Sequence, residues 1–151
     1  MSPAELAESA IALGEQLHHR FADLTLLERA LTHRSWANEH AASLDNERLA
    51  FLGDAVLALV VAEHLWRVEP GARVGELTVG RADLVSGANL ARWAEQIGLG
   101  AHLRLGRGES IQGGQAKESV LATAIEAVLA VVYLEGGLSA VRHSVAALAV
   151  W

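Results

Sequence analysis

The stretch NERLAFLGDAVL, residues 46–57, places Glu47, Ala50, Phe51 and Asp54 on one face of a helix. Residues three, four and seven apart stack above one another along such a face. A second run, VLATAIEAVLAVVYL at 120–134, contains a single charge, Glu126, with Thr123 one turn before it. A carboxylate in such apolar company must be neutralised, hydrogen-bonded or bound to a cation, because burying it alone is costly. Gly53 lies mid-helix before Asp54, which disfavours the helix by about 1 kcal/mol relative to alanine. A close helix–helix approach explains it, and two helices crossing there bring Asp54 and Glu126 into one site. An all-oxygen ligand set without cysteine suits Mg2+ or Mn2+. The competing reading is ion pairing, in which Arg48, Arg81 or Arg34 neutralises each carboxylate. Glu47 would then serve only the helix start, where negative charge is favoured.

Those acids need a scaffold. The apolar spacing predicts helices at about 3–19, 25–33, 46–66, 76–86, 87–98, 118–134 and 137–149, an all-α fold in one domain over 1–151. Ser2, Pro3 and Glu5 form the first helix start, as a capping box with proline at the first helical position. The segments 49–66 and 120–134 are apolar nearly all round, which predicts burial on every side. A chain of 151 residues has little room for two such helices, so a second subunit is expected to cover one of them, as a homodimer. GRGESIQGGQAK, 106–117, reads as a mobile loop whose glycines match no phosphate-loop pattern.

Composition narrows the function classes. The chain has no cysteine, which excludes disulfides and thiolate chemistry and suits a reducing cytoplasm. The N-terminus lacks the basic start and apolar run of a signal peptide. The apolar runs AVLALVVAEHLW and AVLAVVYL read as too short and interrupted to span a bilayer, so no membrane partner is expected. The net charge of −6 gives no electrostatic pull on nucleic acid.

NERLAFLGDAVL resembles the signature of the ribonuclease III family, usually NERLEFLGDAVL. LLERALTHRSWANEH is similar to the family segment before it, and GELTVGRADLVSGANLARWAEQIGLGAHLRLGRGE to the middle. KESVLATAIEAVLAVVYLEGGLSAVRHSV is similar to the closing part, usually ILADAFEALIGAIYLDGG. The resemblance implies an all-α ribonuclease III endonuclease-domain fold, paired into a homodimer with a valley for double-stranded RNA. In the family each site binds Mg2+ and hydrolyses one strand, leaving a 5′ phosphate. A supporting family acid falls on Glu47, and the family's metal ligands fall on Ala50, Asp54, Thr123 and Glu126. A further acid falls on Val74. The resemblance thus carries catalytic roles onto Glu47, Asp54 and Glu126, and metal binding onto Asp54 and Glu126 alone.

The departures decide the expected enzymology. Ala50 offers no ligand and Thr123 no charge, so one cation is expected at most. Cleavage is expected to be weak or absent. The alternative is a non-catalytic RNA-binding or ribosome-associated homodimer that keeps the fold. Family enzymes of the simple bacterial type carry a double-stranded-RNA-binding domain after this one, and the sequence stops at Trp151 without it. Affinity for long double-stranded RNA is therefore expected to be low and steeply salt-dependent.

Thr32, His33, Arg34 and Ser35 match a family segment near the valley, which makes Arg34 an RNA contact and His33 either structural or a phosphate contact. Arg104 and Arg107 flank the glycine-rich loop as further phosphate contacts. His18 and His19 lack ligand spacing. Trp36, Trp66, Trp93 and Trp151 read as packing or dimer anchors, since duplex RNA hides its bases.

Overall fold

Glycine and alanine at the helix crossings set the architecture of the computed structural model, which describes residues 1–149. Trp151 lies outside the described residues. The elements run α1 Pro3–Leu17, α2 Leu24–Ala30, α3 Arg34–Glu39, α4 Glu47–Val68, α5 Val74–Leu84, α6 Gly87–Gln96, α7 Arg107–Ile111 and α8 Glu118–Leu148. Two 3-10 turns, Leu99–His102 and Gly114–Ala116, flank α7. Among the described residues there is no β-strand, only an isolated parallel bridge between Thr32 and Arg104. The all-α expectation holds.

α8 is the axis. Val120, Leu121, Ala124, Ile125 and every residue from Ala127 to Val132 are buried, so its first half is enclosed on nearly all sides. α4 packs along it most extensively, α6 covers another side, and α1 and α2 close the remainder. The capping box forms as expected: Glu5 N–H donates to Ser2 Oγ at 3.2 Å, and Ser2 N–H to Glu5 Oε2 at 2.5 Å.

The two helices predicted at 118–134 and 137–149 are present and meet at a kink within α8, at Gly137, which leaves helical geometry with φ 71°. Three expectations are corrected. α3 was not expected. The 106–117 segment, expected as a mobile loop, is folded into α7 and a 3-10 turn. Two of its glycines, Gly106 and Gly114, serve close approach: a Cβ at Gly106 would lie 2.6 Å from the Ser35 carbonyl oxygen, a distance real side chains do not tolerate. Finally, α4 is not enclosed on every side. It buries Leu49, Ala50, Gly53, Val56, Leu57, Val60, Val61 and Leu65, yet Phe51 is 83% and Trp66 73% exposed.

α4 and α8, at 22 and 31 residues, are long and apolar enough by length and composition alone to cross a membrane. The apolar runs within them had suggested otherwise. In this fold the two helices pack on each other, with 61% of the most apolar window of α8 buried.

Candidate active site at the α4–α8 crossing

Gly53 is the point of contact. A Cβ there would fall 1.8 Å from the backbone oxygen of Glu126 and 2.6 Å from its carbonyl carbon, so only glycine lets the helices meet. The crossing sets Asp54 and Glu126 side by side. Asp54 is exposed, whereas Glu126 is half-buried. Burial first, and then the negative charge of Asp54, push the Glu126 carboxyl up to about 7. Neither carboxylate makes an ion pair or hydrogen bond among the described residues, so the arginine-neutralised reading does not describe them.

The two other positions facing this site carry no charge. Ala50 is buried at 6% exposure. Thr123 is half-buried, and its hydroxyl donates to the Ser119 carbonyl one turn back at 2.9 Å. Its oxygen keeps lone pairs but brings no negative charge. Val74 opens α5 and is 79% exposed. No group of three or more His, Cys, Asp or Glu side chains suited to a metal occurs among the described residues. Two unpartnered carboxylates with oxygen-only chemistry fit one divalent cation and do not fit two.

Glu47 stands at the first turn of α4, two turns from Asp54. Its carboxylate meets Arg34 at 3.4 Å, with both side chains more than half exposed. Its backbone N–H donates to Asp45 Oδ1 at 3.0 Å.

The three arginines expected at RNA divide. Arg104 is spent on internal contacts. Its Nη1 donates to Glu28 Oε1 at 3.0 Å, while Nε and Nη2 donate to Thr32 Oγ1 at 3.0 and 2.7 Å. Its guanidinium also lies 5.3 Å from the centre of the Trp36 ring, and its side chain is 16% exposed. With its charge matched inside the fold, Arg104 is not placed as a phosphate contact. Arg107 is exposed, and its backbone N–H donates to Glu39 Oε1 at 2.9 Å. Arg34 remains at the surface.

His33 caps α3. Its Nδ1 accepts the Ser35 N–H at 3.2 Å and lies 2.7 Å from Ser35 Oγ. Burial is the main reason its pKa falls below the ordinary histidine value. His19, to which the sequence assigned no role, sits 2.6 Å from Glu135 Oε2. Glu135 Oε1 also accepts the N–H groups of Ala22 and Asp23, so this pair ties the chain after α1 to α8. Partners more than a hundred residues apart leave no local signal. Trp93 is buried and Trp36 partly so, stacked on His40 at 3.9 Å, while Trp66 is free to meet a partner.

An all-helical domain with an acidic pair at the crossing of its two longest helices matches one class. The profile of the ribonuclease-III-like family covers residues 23–150, and the chain belongs to that family. Among curated relatives, ribonuclease 3 of Caldanaerobacter subterraneus subsp. tengcongensis is 49% identical over 132 residues, which cover 87% of this chain and 58% of the relative. Ribonuclease 3 of Leifsonia xyli subsp. xyli is 52% identical over 115 residues, 76% of this chain and 48% of the relative. The chain thus spans about half the length of these proteins. The nuclease domain of ribonuclease III from Campylobacter jejuni superposes with a TM-score of 0.84 at 37% identity, covering 91% of this chain and 94% of that one. That structure was described for flexibility in a region involved in dimer formation.

Proposed function

We propose that residues 1–151 act as one ribonuclease-III-like domain on double-stranded or structured RNA in the cytoplasm, with Mg2+-dependent cleavage weak or lost. The observation that carries this is the asymmetry of the crossing. Asp54 and Glu126 are held together without a partner, while Ala50 and Thr123 beside them bring no charge. Asp54 and Glu126 are the residues that would hold Mg2+ or Mn2+, and Glu47 would support the site from the first turn of α4. When bound, the cation supplies Lewis-acid activation of water and offsets charge on the phosphate under attack. Without it, burial and the neighbouring Asp54 charge raise the Glu126 carboxyl to about 7, so protonated and ionised forms coexist near neutrality. Arg34 and Arg107 are the exposed cations offered to the RNA backbone. The exposed apolar face of α4 at Phe51, Leu59 and Trp66 supports pairing into a homodimer.

Cleavage of labelled duplex RNA with Mg2+ or Mn2+ tests this, with the Ala50→Glu/Thr123→Asp double substitution alongside. The expected outcome is little or no cutting by the unmodified protein and a clear gain after repair. Equal rates would overturn the impaired site.

The second reading is a non-catalytic RNA-binding or ribosome-associated homodimer. What favours it is that only two carboxylates face the crossing, half of what the family resemblance implies. A repaired protein that folds and still does not cut would select this reading. Absence of any gel shift with RNA at low salt would remove it.

A further inference from the structure

One histidine has its proton placed by the backbone. Ser35 N–H, an obligatory donor, points at Nδ1 of His33 at 3.2 Å, so Nδ1 must be an acceptor. Gly106 N–H donates to Ser35 Oγ at 2.8 Å, and that oxygen lies 2.7 Å from the same Nδ1. The Ser35 hydroxyl therefore passes its own proton on to the ring. This arrangement exists only because Gly106 can approach: a Cβ there would meet the Ser35 carbonyl at 2.6 Å and Glu39 Oε1 at 2.8 Å. With Nδ1 accepting from both, the neutral ring carries its proton on Nε2.

That Nε2–H has no acceptor among the described residues, and it is not sealed in the interior, where Asn46 Oδ1 is the buried side-chain atom left without a partner. The charges around the ring are Glu109, Arg34, Glu47 and Lys117. They are already matched in pairs, Arg34 with Glu47 at 3.4 Å and Lys117 with Glu109 at 3.2 Å. Local charge is thus balanced, and what the position offers a ligand is a directed neutral donor. Duplex RNA presents backbone phosphate oxygens, acceptors without a proton, and keeps its bases hidden.

We propose that His33 donates its Nε2–H to a backbone phosphate of the bound duplex, beside the first turn of α4. This rests on the RNA-binding reading above. Burial lowers the imidazole pKa, which keeps the ring in the neutral, donating form around pH 7.

Two substitutions separate the two nitrogens. His33→Asn keeps a cap acceptor near the Nδ1 position and removes the Nε2 donor. His33→Gln places an amide N–H near the Nε2 position and gives up the cap. Affinity for a blunt RNA duplex is measured across a salt series with the full chain. His33→Asn is expected to weaken binding about tenfold, the lower end for one hydrogen bond from a neutral donor to a charged acceptor, with the salt slope unchanged. His33→Gln is expected to stay within about twofold of the unmodified protein, a factor well below that of one lost hydrogen bond. Arg34→Ala, by contrast, should reduce the slope by about one. In 15N-resolved spectra of the histidine rings, His33 should show the Nε2–H tautomer, and that signal should move when RNA is added. If the unmodified protein binds RNA and His33→Asn binds equally well, the contact is wrong while the RNA reading stands. If both variants weaken alike and the Nε2–H signal does not move, His33 is a helix cap only and the contact is overturned. If the unmodified protein fails to bind RNA at low salt, both the contact and the reading beneath it fall.

Discussion

Two partly buried clusters of charge, around Arg104 and at the α4–α8 crossing, are built on opposite plans. Around Arg104 every charge meets an answer: Glu28 takes one guanidinium nitrogen, Thr32 takes two others, and Trp36 lies beneath. At the α4–α8 crossing two like charges are set together with none. The first arrangement is satisfied without a ligand, and breaking such a desolvated, hydrogen-bonded pair would strand its partner. The second only costs stability unless something positive arrives. Burial of charge alone does not separate the two clusters; the absence of a partner among the described residues does.

The largest effect should come from the contact that forces the acids together. Gly53→Ala would drive a methyl group into the Glu126 carbonyl, and overpacking of this kind costs about 3 kcal/mol. For a domain of this size that is roughly 6–12 °C in Tm, read by thermal denaturation. Next, Arg104→Met should remove about 2 kcal/mol by leaving Glu28 and Thr32 without their donor, while RNA affinity stays unchanged. A fall in RNA affinity with an intact fold would return Arg104 to the binding surface.

The acid pair should respond in the opposite sense. Glu126 has a folded pKa of about 7, above its ordinary value of 4.5, so the folded state binds more protons between those limits. Its contribution is therefore fully present below about pH 4.5 and is lost as pH rises through 7. In metal-free buffer Glu126→Gln should raise Tm at pH 8 and change little at pH 5. Asp54→Asn should have the same sign and a smaller size, because the Asp54 charge is the lesser cause of the shift. A lower Tm at pH 8 in either variant would mean that the pair has an internal partner. The smallest effect belongs to Arg34→Ala: the exposed pair with Glu47 should contribute less than about 1 kcal/mol.

Gly53 and Glu126 were legible in the sequence because each breaks a local rule. A glycine inside a long apolar helix and a lone carboxylate inside another both demand an explanation, and one crossing explains both. The internal partners of Arg104 were not legible, because Glu28 and Thr32 lie more than seventy residues away and a cation beside glycines resembles a phosphate contact at short range. The same glycines concealed α7. Gly106 is small so that Ser35 can come close, a requirement that only the tertiary structure states. The boundary between the helices read at 118–134 and 137–149 was legible too: the two halves of α8 meet at Gly137, which leaves helical geometry.

The spacing of α4 and α8 is set where backbone touches backbone, at Gly53 and the Glu126 carbonyl. Ala50→Glu and Thr123→Asp are therefore expected to leave the backbone separation at that contact as it is: the frame is a ruler whose divisions can be redrawn.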